Sequence, residues 1–312
     1  EDVKYVRYYG ISSGKFRRYF DIKNFTDPFR ILKGFFQAKK ILKRLRPAVV
    51  FSKGGFVTVP VVIAAKMRNI PVVIHDSVFT SGLANKIALP FANTMCTTFK
   101  ETAAAAGKKG VFTGSPVRPS IFEGDPERGR IICGFEKGRP IILVIGGSSG
   151  AVAINNCVDE ALDEMIEKYQ VIHIRGITNI KKELEGKSGY RQFGYVDEEL
   201  PHLLACADVI VSRAGANAIF EFSSLYKPML LIPLPTSASR GDQMHNAKYF
   251  EEQGIGRVLR QEFLNVTTLI AGIEEVYSKR FQFETNMRAS GMGNGLAKLF
   301  EEILNASKEY ER

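Results

Sequence analysis

Cysteine is scarce in this chain of 312 residues: Cys96, Cys133, Cys157 and Cys206 lie far apart, with no Cys-x-x-Cys pair and no histidine spaced to join them. That pattern argues against a zinc site and a disulfide framework, and a reducing cytoplasm is the expected setting. Long apolar runs are also missing. The longest, Phe56 to Ala65, is ten residues with Thr58 and Pro60 inside it, against the roughly 20 that a membrane-spanning helix needs. The first ten residues are charged and aromatic and lack the apolar stretch of a secretory signal. No Asp-x-Asp occurs, so a metal bridging a nucleotide diphosphate has no obvious protein ligands, and no cofactor is expected. What remains is ordinary: 45% hydrophobic and 24% charged residues exclude the disordered and collagen-like classes, and the length predicts two domains.

Charge is unevenly placed. The net charge is +10, and the stretch from Lys15 to Arg46 holds eleven basic residues against only Asp21 and Asp27. On a helix over 29–46, Ile31, Phe35, Ala38, Ile41, Leu42 and Leu45 gather into a core stripe. Phe29, Leu32 and Phe36 are left on a second face, interleaved with Lys33, Lys39, Lys40 and Lys43. One core does not readily bury both faces. The second face is read as facing an anionic membrane surface; the alternative is that the C-terminal helix or a second copy covers it. Nucleic acid is not expected, because phosphate-tracking surfaces carry stacking aromatics in loops or sheets.

Runs rich in β-branched residues, each followed by a turn and a helical pattern, recur at 48–52, 72–75, 94–99, 141–145, 170–175, 208–212 and 229–232. This is the pattern of βαβ units with parallel sheets, an α/β fold. Between Gly114 and Arg139 it lapses into glycine, proline and charge, placing a boundary near Pro119. The expected organisation is an acceptor and membrane-facing domain over 1–118, a donor-binding domain over 119–290, and a terminal helix over 291–312 that can pack back on the first. Two doubly wound domains would face a cleft, with ligands outside the carboxyl ends of the strands.

The strongest chemical signal is the strand 141–145 running into Gly146-Gly-Ser-Ser-Gly150 and then a helix. Gly146, Gly147 and Gly150 let backbone approach a ligand, the helix start attracts an anion, and Ser148 adds a hydroxyl. A phosphate site and a plain strand-to-helix turn both fit. A second strand, turn and helix, Val209 to Glu221, carries a carboxylate that is either a solvated glutamate or an acceptor for both hydroxyls of a ribose. Ser239 to Asn246 places Asp242 and Gln243 where they either read sugar hydroxyls or cap a helix. In the first half, Phe51-Ser-Lys-Gly-Gly-Phe56 is a further strand and diglycine turn. His75 and Asp76 end a strand, where a catalytic pair and a satisfied core histidine are both compatible.

Lys53-Gly-Gly-Phe-Val57, His75-Asp-Ser77, Gly82-Leu-Ala-Asn-Lys86, Gly146-Gly-Ser-Ser-Gly150, Ser212-Arg-Ala-Gly-Ala216 with Glu221, and Asp242-Gln243 with Asn246 occur in the order seen in the MurG family. The chain resembles that family, the UDP-N-acetylglucosamine:N-acetylmuramyl-(pentapeptide) pyrophosphoryl-undecaprenol N-acetylglucosamine transferases, over nearly its whole length, and is most like the Gram-positive form. The resemblance implies a GT-B fold of two Rossmann-like domains. It implies inverting transfer of N-acetylglucosamine from its UDP donor to the 4-hydroxyl of lipid I, giving lipid II in peptidoglycan synthesis, at the cytoplasmic face of the membrane as a peripheral protein, with other cell-wall synthesis proteins as possible partners.

Carried over by motif, Gly146, Gly147, Ser148 and Gly150 hold the diphosphate with Arg118 assisting, and Glu221 binds the ribose. Backbone at Tyr195 and Val196 reads the uracil, Asn217 and Ala218 lie beside the nucleotide, and Asp242 and Gln243 contact the sugar. Lys53, Gly54, Gly55, Phe56, Asp76 and Asn85 belong to the acceptor side, with His75 as candidate base. Three departures stand out: the family's Gly-Gly-Thr-x-Gly-His loop has no counterpart in the 312 residues, Asp76 stands where glutamate is usual, and Val78 stands where many relatives have asparagine. Two alternatives remain, a UDP-N-acetylglucosamine 2-epimerase on the same fold and a donor-binding subunit that transfers nothing alone.

Overall fold

The computed structural model describes residues 6–14, 23–146, 151–236 and 241–310. The chain divides into two compact units, one formed by Glu1–Gly114 with Gly295–Arg312, the other by Ser115–Asn294. The division falls upstream of the 118–119 boundary expected from the glycine- and proline-rich stretch, so Arg118 belongs to the second unit. Local bonding accounts for it: Ser115 bridges Asn294, and the Val117 N–H donates to Asn294 Oδ1 at 3.0 Å.

The first unit alternates α1 (Lys23–Leu45), β1 (Val50–Ser52), α2 (Thr58–Lys66), β2 (Val72–Asp76), α3 (Leu83–Ala88), β3 (Thr94–Thr97), α4 (Lys100–Ala105) and β4 (Gly110–Phe112). Its four strands pair in parallel in the order β1-β2-β3-β4. Because side chains alternate across a strand, Val72 and Ile74 of β2 face a core with Ala38 and Leu42 of α1 and Val62, Ala64 and Ala65 of α2. Val73 and Cys96 face the other way.

The second unit runs α5 (Pro126–Cys133), β5 (Ile141–Ile145), α6 (Val152–Lys168), β6 (Gln170–Ile174), β7 (Tyr190–Phe193), α7 (Leu200–Cys206), β8 (Val209–Ser212), α8 (Ala216–Ser224), β9 (Met229–Leu231), α9 (Asp242–Glu252), β10 (Arg257–Val258), α10 (Val266–Ser278) and α11 (Arg280–Ser290). Its sheet is parallel, in the order β10-β9-β8-β5-β6-β7. From β5 the chain winds outward through β6 and β7, then returns to the other side of β5 with β8. A doubly wound sheet changes direction at such a point, and its crevice opens at the carboxyl ends of the two central strands.

The last helix, α12 (Leu296–Tyr310), returns to the first unit and packs Leu299, Ile303 and Ala306 on Val73 and Cys96. Lys298 Nζ donates to the Phe112 carbonyl at 2.6 Å. α12 therefore covers the sheet face opposite α1 and does not cover Phe29, Leu32 and Phe36, which are 75%, 53% and 59% exposed. Lys33, Lys40 and Lys43 beside them are exposed. Leu45, placed in the core stripe by periodicity, is exposed because α1 ends there. Residues 15–22 of the basic block lie outside the described residues.

Candidate active site

At the carboxyl end of β5, Gly146 is half-buried, while Gly147, Ser148 and Gly150 fall outside the described residues. The helix that follows, α6, starts at Ala151, whose side chain cannot cap, and no acidic residue occupies its first turn. α8, after neighbouring β8, begins at Gly215 with the same two features. Among the described residues no side chain caps either helix start; the two flank the switch point between β5 and β8, and the N–H groups of each favour an anion there.

Glu221 sits on α8 with its side chain largely buried. Its Oε1 lies 3.4 Å from Arg118 Nε, so two residues expected on different parts of the donor are an ion pair here. Burial pushes the Glu221 carboxyl above the usual range, and the Arg118 guanidinium opposes that. Asn217 is exposed and Ala218 half-buried in the first turn of α8. Asp242 is exposed in the first turn of α9, whereas Gln243 is already engaged, its Oε1 accepting the Leu234 N–H at 3.1 Å. Asn246 Nδ2 donates to the Ala214 carbonyl at 3.2 Å, tying α9 to the turn that starts α8. Val196 is buried and Tyr195 is 61% exposed, just past β7.

The motif pattern assigned no role to Arg213 within the Ser212-Arg-Ala-Gly turn. Its Nη1 donates to the Ile232 carbonyl at 3.1 Å, no carboxylate pairs with it among the described residues, and burial draws it below the ordinary arginine value. Among the described residues its partners are neutral, and a cation so placed at the switch point suits an anionic ligand. A strand ending directly in arginine before a small-residue turn was the available signal.

The first unit gathers its expected residues at the carboxyl ends of β1 and β2. Lys53 Nζ donates to His75 Nδ1 at 2.8 Å and to Ser77 Oγ at 2.9 Å. Gly54 and Gly55 have φ of +87° and +91°, which glycine adopts without cost. A Cβ on Gly54 would sit 2.9 Å from Asn85 Oδ1, so this turn closes directly on the Asn85 side chain. Half-buried Phe56 follows. Asp76 Oδ1 accepts the Val78 N–H at 3.2 Å, so Val78 enters through its backbone. Asp76 Oδ2 and Asn85 Oδ1 are buried without a hydrogen-bond partner among the described residues. Buried acceptors left open in this way suit hydroxyl or amide donors from a ligand.

His75 is fully buried, and its imidazole is pushed down to about 4, first by burial and then by the Lys53 charge, with the Gly114 backbone and Asp76 pulling the other way. It is neutral near pH 7, but Lys53 occupies its Nδ1 lone pair. A hydroxyl reaches that nitrogen only if Lys53 moves aside. Desolvation also draws the Lys53 ammonium below its ordinary value, and Asp76 opposes this. Among the described residues no group of three or more His, Cys, Asp or Glu is placed to hold a metal ion.

Two family models match the chain: the glycosyltransferase family 28 N-terminal domain over residues 2–97 and the C-terminal domain over residues 141–303. A UDP-N-acetylglucosamine--N-acetylmuramyl-(pentapeptide) pyrophosphoryl-undecaprenol N-acetylglucosamine transferase from Clostridium tetani is 49% identical over 299 residues, covering 96% of this chain and 84% of that protein. The protein of the same name from Clostridium botulinum strain Hall is 50% identical over 304 residues, covering 97% and 86%. Among solved structures, MurG of Acinetobacter baumannii aligns with a TM-score of 0.70 at 23% identity, covering 89% of this chain and 79% of that one. A UDP-GlcNAc 2-epimerase from Neisseria meningitidis bound to UDP-GlcNAc aligns at 0.59 and 14% identity, covering 89% and 80%. Transferases and epimerases share this GT-B architecture, so the fold does not separate them, whereas the sequence relatives do. With both halves matched and nearly half its residues identical along almost its whole length, the chain belongs to glycosyltransferase family 28, among the UDP-N-acetylglucosamine–N-acetylmuramyl-(pentapeptide) pyrophosphoryl-undecaprenol N-acetylglucosamine transferases.

Proposed function

We infer that the chain transfers N-acetylglucosamine from UDP-N-acetylglucosamine to lipid I, with the donor held in the second unit. The observation that carries the donor reading is the pair of helix starts, α6 and α8, at the switch point, with Arg118, Arg213 and Glu221 around them. In the reaction, the acceptor 4-hydroxyl oxygen forms a bond to the sugar C1, the bond from C1 to the diphosphate oxygen breaks, and UDP leaves with inversion. The leaving diphosphate gains negative charge as that bond breaks. The α6 start with Gly146, Gly147, Ser148 and Gly150, together with Arg118 and Arg213, stabilises it electrostatically. Asn217, Ala218, Asp242 and Gln243 line the remainder of the donor, the Gln243 oxygen meanwhile holding the Leu234 N–H.

On the acceptor side, the open oxygens of Asp76 and Asn85 receive donors from the sugar–peptide, and Lys53, Gly54, Gly55 and Phe56 shape that wall. His75 takes the hydroxyl proton once the incoming hydroxyl displaces Lys53 from Nδ1. Labelled UDP-N-acetylglucosamine with lipid I is expected to give lipid II and UDP in equal amounts, and His75→Ala to lower kcat by about a hundredfold. Epimerised nucleotide without lipid II would replace the transferase reading by the epimerase. Donor binding with neither product would leave a binding subunit, and a kcat for His75→Ala within about twofold of the parent would remove the histidine from the proton step.

The substrate chemistry also calls for a membrane surface, since lipid I is anchored there. No helix among the described residues is long and apolar enough to cross a bilayer. The exposed face of α1, with Phe29, Leu32 and Phe36 among Lys33, Lys40 and Lys43, supports peripheral binding to the anionic cytoplasmic leaflet. Changing the three apolar residues to serine is expected to cut affinity for sedimenting anionic vesicles at least ~30-fold, since even one fully buried side chain is worth roughly 1.5–3 kcal/mol, while donor affinity stays unchanged. Undiminished sedimentation would move the contact elsewhere.

A further inference from the structure

We propose that Arg175 is a positioning residue for recognition of the nucleotide base: its buried guanidinium locks the turn after β6 onto the turn after β7, setting an apolar shelf that holds a pyrimidine ring. This rests on the reading that the donor base is met at Tyr195 and Val196.

Arg175 is 1% exposed, the largest fully buried side chain of the molecule among the described residues. Every arm of its fork is used. Nη2 donates to Asp159 Oδ2 at 2.8 Å, Nη1 to the other Asp159 oxygen and to Tyr190 Oη at 3.1 Å, and Nε to the Asn179 carbonyl at 2.6 Å. Its backbone is held as firmly. The N–H donates to the Phe193 carbonyl at 2.9 Å, and the carbonyl accepts from Asn155 Nδ2 at 2.9 Å and Asn179 Nδ2 at 3.2 Å. The two turns then meet backbone to backbone, since a Cβ on Gly194 would lie 3.2 Å from Ile177 Cα and 3.5 Å from Ile180 Cγ1.

Out of this polar clamp come three exposed apolar side chains at the carboxyl ends of adjacent strands. Ile177 is 71% exposed, Ile180 37% and Tyr195 61%. Such a group has no part in the core, and a flat aromatic ring is the ligand that covers it best. The other end of the clamp is α6, which contributes Asn155 and Asp159 and whose start faces the diphosphate. One network therefore fixes the base shelf relative to the phosphate anchor. Stability alone is a weak reason to bury such a pair, because apolar residues of like volume serve as well; a fixed spacing between two subsites needs a rigid, directional group.

The test is calorimetric titration with UDP, CDP and pyrophosphate. Arg175→Lys keeps the charge beside Asp159 but cannot reach Tyr190 and Asn179 together. It is expected to weaken UDP about tenfold, to narrow the UDP-over-CDP preference by a similar factor, and to leave pyrophosphate unchanged. Loss of all three ligands alike, or no change in any, would overturn the proposal. Asn179→Ala, which removes one clasp from a half-buried turn, serves if the lysine variant does not fold, and is expected to shift the UDP-to-CDP ratio about threefold in the same direction. Tyr195→Ala separates the two levels. If it leaves both UDP affinity and the ratio untouched, the Tyr195 ring is no part of a base shelf and the proposal falls, while the reading of the base by backbone at Tyr195 and Val196 stands; if it collapses the ratio while Arg175→Lys and Asn179→Ala do not, the positioning role alone is wrong.

Discussion

Glu221→Ala is expected to weaken UDP-N-acetylglucosamine binding by tens to a hundredfold, measured by calorimetry. A carboxylate accepting from two ribose hydroxyls makes charge-assisted hydrogen bonds, and bonds to a charged group are worth about 1.5–3 kcal/mol. The cost has little to do with folding. Arg118, the partner left behind, is half exposed and returns to water. Glu221→Gln, which keeps one acceptor oxygen, should lose less. The 2′-deoxy nucleotide supplies the complementary cut: it should bind the parent poorly and the alanine variant no worse than UDP does. A variant that binds within about twofold of the parent would return Glu221 to the solvated helical glutamate that its sequence position alone allows.

A second large effect is expected from acid. His75 is held to about 4, mainly by burial and then by Lys53, and His173 to about 3, by burial and then by Arg175. His173 sits wholly inside the second unit, bonded to Tyr190 and Asn155. In the unfolded chain both imidazoles protonate near the ordinary value of 6.5. The unfolded state therefore binds more protons below that pH, and stability should fall as pH drops from about 6.5, through about 4 for His75 and on toward 3 for His173. The His75 contribution alone comes to about 3 kcal/mol. Urea midpoints at pH of roughly 7.5, 5.5 and 4.5 should step downward, with little change above about 6.5. A flat series would mean that the histidines are hydrated in solution.

Much of this architecture could be read from residue patterns. The strands at 141–145 and 170–174, buried on both faces, appear as largely apolar runs, and the first leads directly into a diglycine. The strands not read are β4, β7 and β10, and all three lie at sheet edges. Edge strands are short or polar, as Tyr190-Arg-Gln-Phe193 and the two residues of β10 are, so their pattern merges with that of loops. In the site, motif order indicated which residues to watch but not whom they would touch. Nothing in the spacing of Arg118 and Glu221 announces an ion pair, nor that Lys53 would occupy the nitrogen His75 needs for a proton. Those contacts depend on side chains brought together across the fold, and periodicity carries no information about them.

The route of α12 also governs the order in which the molecule can be made. A chain emerging from the ribosome completes its second unit, residues 115–294, before the residues that seal the first have been translated. Until Leu299, Ile303 and Ala306 arrive, Val73 and Cys96 present a bare apolar sheet face, although every strand of that sheet was synthesised long before. The earlier-born unit is therefore the later to mature. During that interval its uncovered face is a surface for chaperones or for misassembly.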